Sequence, residues 1–421
     1  MSSAGEGTTR RDNRRRIVTV AVVVLVLVSA HLWYGNRHNF LDLRIYWEAV
    51  RWWAHGHNLY DYARPDPVEG SLPFTYPPFA ALLMLPLAWT PYLAAVAVFS
   101  LVNLVAIGLT TWWLVAPVAR RHDQPRWYLV ALAVPLVTAL EPIRETVTFG
   151  QVNLVLAALV VGDLLVAVPR GSRLAGVGVG LAAAIKLTPA IFIVYLLITR
   201  RWRAAATAVG TAAAATLLAA AVAPHASWRF FTQAMWDPHR VGHLDRITNQ
   251  SILGALARLA APVEPNRAVW LVLGVLAAGY GLVRAARAAA AGDELSGVTL
   301  TGIAGSLLSP VTWDHHLYWF VPALVVLVDA ATSGARHRRA LIGFAIAVYL
   351  TVTVAPIQWF DWGLDPRYQH GIAGFFIDNW FLLLMIVLLV ALPVRAAPRE
   401  ETGDETVTAM DARRYTKIAN E

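Results

Sequence analysis

Asp42 lies in the run Asn39-Phe40-Leu41-Asp42-Leu43-Arg44-Ile45-Tyr46, just after an apolar segment long enough to approach a membrane crossing. A carboxylate there can take a proton from a hydroxyl at the membrane surface, which is the work of a general base. It can instead cap the helix that follows by accepting from its first free amides. Both readings fit. Lys186 sits in Ala184-Ile185-Lys186-Leu187-Thr188-Pro189, where a proline interrupts the helix around an ammonium. Such a compact charge neutralises a phosphate, or snorkels to the interface. Late in the chain comes Ser309-Pro310-Val311-Thr312-Trp313-Asp314-His315-His316. Asp314 can cap the next helix or face a ligand. His315 and His316 point about 100° apart on a helix, so they suit one metal poorly, but either can donate to a phosphate.

Other polar residues carry similar double readings. Tyr46, and Thr75 and Tyr76 within Phe74-Thr75-Tyr76-Pro77-Pro78, offer hydroxyls to a sugar, or simply stiffen a loop-to-helix entry. Gln151, Asn153, Asn249 and Gln250 stand at the edges of apolar runs, where an amide is costly unless paired. Helix–helix hydrogen bonds and hydroxyl-rich ligands both satisfy it. The stretch 225–246 interleaves His225, Arg229, His239, Arg240, His243 and Arg246 with Trp228, Phe230, Phe231 and Trp236. That composition suits a lipid phosphate, and equally a general contact with anionic lipid. His55 and His57 look like a helix stop, with no third ligand nearby for a metal. The chain has no cysteine, no nucleotide loop and no HExxH, so it is expected to use neither metal nor cofactor.

The elements that must position these groups are apolar helices. Of 421 residues, 57% are hydrophobic and 15% charged, well under the roughly 25% of a soluble domain. Mean hydropathy is +0.52. Apolar runs recur near 17–33, 93–117, 127–142, 152–169, 174–186, 187–199, 203–222, 268–285, 297–312, 317–331, 340–357 and 377–394, which predicts an all-α polytopic membrane protein of about twelve spans. The pair 174–199 reads as two half-helices meeting around Lys186. The first run resembles a signal peptide but lacks a small-residue cleavage site, so it is read as an uncleaved helix. Arginine clusters between the runs account for the net charge of +8 and mark the cytoplasmic side, which argues against nucleic acid as the partner.

With that topology, residues 1–16 form a basic cytoplasmic N-terminus, 17–394 the membrane domain and 395–421 a charged cytoplasmic tail. The loops 34–78, 224–251 and 358–376, with turns at Glu141–Gln151 and Trp313–His316, share the opposite face. Residues 42–55 read as an amphipathic helix along the bilayer surface, Leu43, Tyr46, Trp47, Val50, Trp53 and Ala54 on one side. Ionisable groups at the midplane of paired repeats, expected of a transporter, are not evident. One-sided polarity favours an enzyme over a lipid or sugar flippase or an envelope scaffold.

In this order the six motifs around Asp42, Tyr76, Gln151, Lys186, Gln250 and Asp314 resemble the bacterial polyprenol-phosphate-mannose-dependent mannosyltransferases of glycosyltransferase family 87, in the C-type (GT-C) superfamily. The resemblance spans roughly 40–380 and is greatest to members that add an α-1,2-mannose to phosphatidylinositol mannosides. It implies a GT-C membrane fold, a β-linked mannosyl phosphate donor and inversion at the anomeric carbon. It places the catalytic acid at Asp42 and a phosphate contact at His315 or His316, with Lys186, Arg229, Arg240 and Arg246 aiding the departing lipid phosphate. Tyr46, Thr75, Tyr76, Gln151, Asn153, Asn249, Gln250 and Asp314 are the sugar- and acceptor-side expectations. Arabinofuranosyltransferases share the family and remain an alternative. The partners implied are membrane lipids, the polyprenyl phosphate donor and the phosphatidylinositol-mannoside acceptor, served by a monomer in the bacterial plasma membrane with its site facing out.

Overall fold

The computed structural model of the chain describes residues 3–35, 38–67, 69–333, 337–359 and 371–395. Most of the loop 358–376, nearly all of the tail 395–421 and the side chain of His239 lie outside the described residues. Helix α1 (Ser3–Tyr34) takes in the described part, residues 3–16, of the N-terminal stretch set apart above. It is followed by α2 (Leu41–Ala54), whose buried residues are Leu43, Ile45, Tyr46, Ala49 and Val50. The apolar side predicted for the bilayer surface is thus packed largely against protein.

The loop 34–78 also contains a small antiparallel hairpin, β1 (Ala63–Asp66) and β2 (Gly70–Pro73), with Ala63 opposite Pro73. The all-α expectation therefore needs this one amendment. Pro77 and Pro78 open α3 (Pro78–Met84), which continues as a 3-10 turn to Trp89. Proline suits that place because its missing amide would have no partner in a first turn.

The apolar helices come next: α4 (Tyr92–Arg121), α5 (Arg126–Thr138), α6 (Glu141–Phe149) and α7 (Asn153–Gly162). The residues 141–149, expected as a turn, are thus helical, bent 69° from α5. Beyond a π turn at Asp163–Ala167 lie α8 (Val177–Ile185) and α9 (Ile191–Ile198), the predicted half-helices with Lys186 at their break. Then follow α10 (Trp202–Val222), α11 (Pro224–Thr232), α12 (Ile252–Ala260), α13 (Arg267–Ala290), α14 (Glu294–Leu308), α15 (Phe320–Thr332), α16 (Arg338–Val354), and α17 (Gly371–Asp378) bent 70° from α18 (Trp380–Ala391).

Each predicted span holds a helix, but most are too short or too bent to cross alone. Among the described residues four helices are long and apolar enough to cross a membrane, or six if each bent pair is one span. Length and composition therefore support a helical membrane protein without reaching twelve crossings. The long helices α1, α4, α10 and α13 expose apolar side chains such as Leu25, Leu101, Leu217 and Leu276, as a lipid-facing rim would. Inside that rim α14 is enclosed, with Leu300, Ile303, Ala304 and Leu307 at 0% exposure.

Candidate active site

The first residue of interest is placed by backbone contacts. The amide of Phe40 donates to the carbonyl of Thr148 at 2.8 Å, tying the start of α2 to the end of α6. Between α6 and α7, Gly150 turns the chain with φ +72°, a left-handed C-cap that favours glycine. A Cβ there would lie 2.6 Å from Leu43 Cβ, so α2 rests directly on the turn. Asp42 and Gln151 consequently meet, though 109 residues apart in sequence.

Gln151 is the hub. Its Oε1 accepts from the hydroxyls of Tyr46 at 2.9 Å and Tyr76 at 2.7 Å. Those two donors fix the amide's orientation, so Nε2 faces Asp42 Oδ2 at 2.5 Å and His315 Nε2 at 3.4 Å. Asp42 does not cap its helix. The N-cap of α2 is Phe40, with no side-chain cap hydrogen bond, and the carboxylate turns to Gln151 instead. Burial pushes the Asp42 carboxyl above its usual range, opposed by the nearby His315, the Gln151 hydrogen bond and Lys186.

A second cluster adjoins the first. Lys186 has left the helix at the α8–α9 break, and its Nζ donates to Asn153 Oδ1 at 3.1 Å and lies 2.9 Å from His316 Nε2. Its ammonium sits 5.3 Å from the centre of the Tyr76 ring, a cation–π distance. Lys186 therefore points into the protein, not out to the interface. Burial first, then the charge of Lys186, holds His316 well below the usual histidine range, leaving it neutral beside the ammonium. Asn153, Lys186 and His316 form the polar end of a cavity of about 70 Å³. Its remaining wall is mostly apolar, with Leu156, Val160, Phe192 and Trp319 beside the glycines of α14.

The histidine turn is held from outside this cluster. Gln250 N donates to Thr312 O at 2.7 Å, Thr312 N to Asn249 Oδ1 at 3.0 Å, and Asp314 N to Thr248 O at 3.1 Å. From below, Thr146 Oγ1 and Asn153 Nδ2 each donate to His315 O at 3.0 Å. Asn249 and Gln250, expected on the sugar side, are 0% exposed. The Gln250 Oε1 accepts from the amides of Phe381 and Leu382, and its Nε2 donates to Asp378 O, so it bridges α17 and α18. Asp314 is 2% exposed and lies beneath the histidines, where it meets no open surface. Buried carbonyls and amides need partners, and these side chains supply them.

The structure thus gathers Asp42, Tyr46, Tyr76, Gln151, Asn153, Lys186, His315 and His316. Thr75, half-buried, neighbours this group in sequence, with no side-chain hydrogen bond described for it. Two of the three expected arginines are drawn to acids of the loop 34–78 and the third to a carbonyl of it. Arg229 pairs with Asp61, Arg246 with Glu69 at 2.5 Å, and Arg240 donates to the Tyr60 carbonyl at 3.3 Å. Among the described residues no group of three or more His, Asp or Glu is arranged to hold a metal. Not anticipated from sequence were Glu141 and Glu145, both 0% exposed on α6. Their signal was available: two acids one turn apart at the border of an apolar run are costly unless paired.

The model of glycosyltransferase family 87 matches residues 74–310. The chain is 34% identical to the polyprenol-phosphate-mannose-dependent alpha-(1-2)-phosphatidylinositol mannoside mannosyltransferase of Mycobacterium tuberculosis (strain ATCC 25618 / H37Rv) over 90% of this chain and 91% of that one. The chain belongs to glycosyltransferase family 87. Within family 87 it is also 34% identical to the protein of the same description from Mycolicibacterium smegmatis, over 91% of each chain. A phosphatidylinositol pentamannoside mannosyltransferase of the same organism is 30% identical over 82% of each. No solved structure matches. The family 87 stretch takes in Tyr76, Gln151, Asn153 and Lys186, whereas Asp42 and the histidine turn lie outside it.

Proposed function

We propose that this family 87 protein transfers mannose from a polyprenyl-phosphate-mannose to a phosphatidylinositol-mannoside acceptor, forming an α-1,2 linkage at the outer face of the plasma membrane. The observation that carries this reading is the joining of two unlike clusters. An acid held by an amide that two tyrosines orient stands next to an ammonium and a histidine at the polar end of an apolar cavity. The activities by which the relatives are named supply the sugar and the lipid classes.

In the proposed reaction the acceptor hydroxyl attacks the anomeric carbon from the face opposite the phosphate. Asp42 accepts the hydroxyl proton as the new C–O bond forms, and the bond from anomeric carbon to phosphate oxygen breaks. The electron pair leaves on the polyprenyl phosphate, where Lys186 stabilises the added negative charge. His316, not His315, is assigned to the phosphate, because His316 lines the cavity and touches Lys186 while His315 faces Gln151. Tyr46 and Tyr76 act through Gln151 and present ring surface to the sugar side. The prenyl chain lies along Leu156, Val160 and Phe192. The reaction so written calls on no metal and no cofactor. A GT-C arrangement with about twelve crossings, several of them made of paired short helices, goes with this reading, as does an outward-facing site.

Purified protein supplied with polyprenyl-phosphate-mannose and a phosphatidylinositol-mannoside acceptor tests the reading. Transfer is expected from wild type, with Asp42→Asn lowering kcat by roughly 10²–10⁴-fold while donor binding survives. Wild-type transfer by that variant would remove Asp42 as the base. Transfer of arabinofuranose alone, from its polyprenyl phosphate, would keep the family and change the substrate.

A further inference from the structure

Arg51 lies nine positions beyond Asp42 on α2, about two and a half turns on, so it stands on the opposite side of the helix, roughly 14 Å along. Around it α2 and the turn that follows form a cleft of about 260 Å³, larger than the 70 Å³ beside Lys186. Trp47, Glu48, Trp52 and His55 line it together with His57 and Tyr62. The hydrogen bonds that hold these walls run to the backbone. Trp47 Nε1 donates to Thr90 O and Arg51 Nη1 to Ala88 O, both at 3.1 Å. Trp52 Nε1 donates to Asn58 O at 3.2 Å, and His55 Nδ1 to Arg51 O at 2.7 Å. Each indole has one donor, so what both present to the cleft is ring surface. Trp52 stacks on His57 with centroids 3.9 Å apart, and the Arg51 guanidinium lies 4.5 Å from the centre of the Trp47 ring.

Glu48 is the acid of this cleft, and its charge is already matched. Tyr62 Oη donates to its Oε2 at 2.5 Å, and Arg64 Nη1 donates to both oxygens at 2.7 Å. Among the described residues no acid pairs with Arg51, and its Nε and Nη2 meet no acceptor. One uncompensated guanidinium thus faces the cleft beside two indoles. Ala88 and Thr90, which hold Arg51 and Trp47, flank the exposed Trp89, and Leu93 is exposed in the first turn of α4. The cleft therefore stands at the end of a lipid-facing helix, the level at which headgroups lie and tryptophan is favoured.

We infer that this cleft is a second binding site, apart from the reaction centre, for the phosphorylated, sugar-bearing head of an anionic glycolipid. Arg51 offers the phosphate a planar fork of donors. The indole faces, negative at their centres, take the C–H side of a sugar ring. Glu48, with lone pairs beyond those its partners use, accepts from sugar hydroxyls. The transferase reading makes the lipid a phosphatidylinositol mannoside; that identity rests on the reading, whereas the chemistry of the cleft does not. A lipid held there lies across α2 from Asp42, so it is kept at the margin of the protein without being placed to react.

The test uses full-length protein in phosphatidylcholine nanodiscs, labelled with 5-fluorotryptophan, with the Trp52 fluorine signal assigned by its loss in Trp52→Phe. The probe is the water-soluble head itself, glycerophosphoinositol dimannoside, compared with mannobiose and with inorganic phosphate. The full head should shift the Trp52 signal saturably with a Kd under about 1 mM. Mannobiose and phosphate should each bind at least about tenfold more weakly, because each leaves one half of the cleft unused. Arg51→Gln should weaken the full head by about tenfold or more, the loss of a charge-assisted hydrogen bond. No saturable shift, binding of mannobiose or phosphate as tight as the full head, or an unchanged affinity in Arg51→Gln would each overturn the inference. If Arg51→Gln does not fold, the comparison of the three probes on wild type decides alone. Donor is absent throughout, so Asp42→Asn should give the wild-type Trp52 response; its loss in that variant would put the binding at the reaction centre and end the case for a second site. An inactive wild type with an intact Trp52 response would remove the transferase reading and leave the cleft, so the two failures are read separately.

Discussion

At the scale of single residues, the site depends on how few polar groups share each hydrogen bond. Gln151 accepts two phenols and donates to a carboxylate and an imidazole, so its amide has one orientation and Asp42 has one neighbour that tells it where to point. A general base works as the carboxylate, and burial raises the Asp42 carboxyl despite His315, Gln151 and Lys186. The sign follows directly: transfer is full above the raised value and falls as pH drops through it. The acid limb of kcat against pH should therefore lie above the ~3.9 of an ordinary aspartate. A limb at or below that value would mean that another group sets it. The cap role open to Asp42 from sequence is gone, because Asp42 lies inside α2, whose N-cap is Phe40, and its Oδ2 accepts from Gln151.

At the scale of elements, α8 shows why the half-helices sit where they do. Gly178 and Gly180 press against backbone: a Cβ on Gly178 would collide with the Leu159 carbonyl, and one on Gly180 would lie 2.5 Å from the Ala208 carbonyl. Small residues let helices approach closely where lipid removes any hydrophobic drive between them. Neither α7 nor α10 can yield at a carbonyl as a side-chain tip could. Gly178→Val should cost about 1–3 kcal/mol through overpacking, read as a lowered Tm in detergent and, because α8 ends at Lys186, as weaker donor binding. An unchanged Tm would show that α8 is free to shift. The break at Lys186 was legible in Lys186-Leu187-Thr188-Pro189, whereas the helix at 141–149 was not, since its two acids read as a polar turn until their buried partners are seen.

At the scale of the whole molecule, the two ends do different work. The end with Asp42 gathers neutral and charged groups around a cavity; the other is tied by charge. Asp329, 0% exposed, pairs with Arg121 of α4 and with Arg395 beyond α18, and lies 2.9 Å from His122. That carboxylate joins α15 to α4 and to the end of the last helix. Asp329→Asn leaves two partly exposed arginines without it, so a loss of about 1–3 kcal/mol is expected. The readout is Tm, with kcat at low temperature near wild type; a variant that lost kcat without losing Tm would place Asp329 in the reaction instead.

Apolar periodicity and arginine spacing are local patterns, and they sufficed for a helical membrane protein with its polar motifs in order. The motifs around Asp42, Lys186 and Asp314 were visible in the same way, because each is a short run of unusual residues. Which of them touch is a different kind of fact. Asp42 meets Gln151 from 109 residues away, Lys186 meets His316 from 130, and Asn249 turns inward to hold Thr312. Hydropathy cannot tell a buried amide serving a ligand from one serving a backbone carbonyl, since both offset the same desolvation. Only the packing of α2 on the Gly150 turn, and of the histidine turn on α6, decided which polar groups face the cavity and which hold it in place.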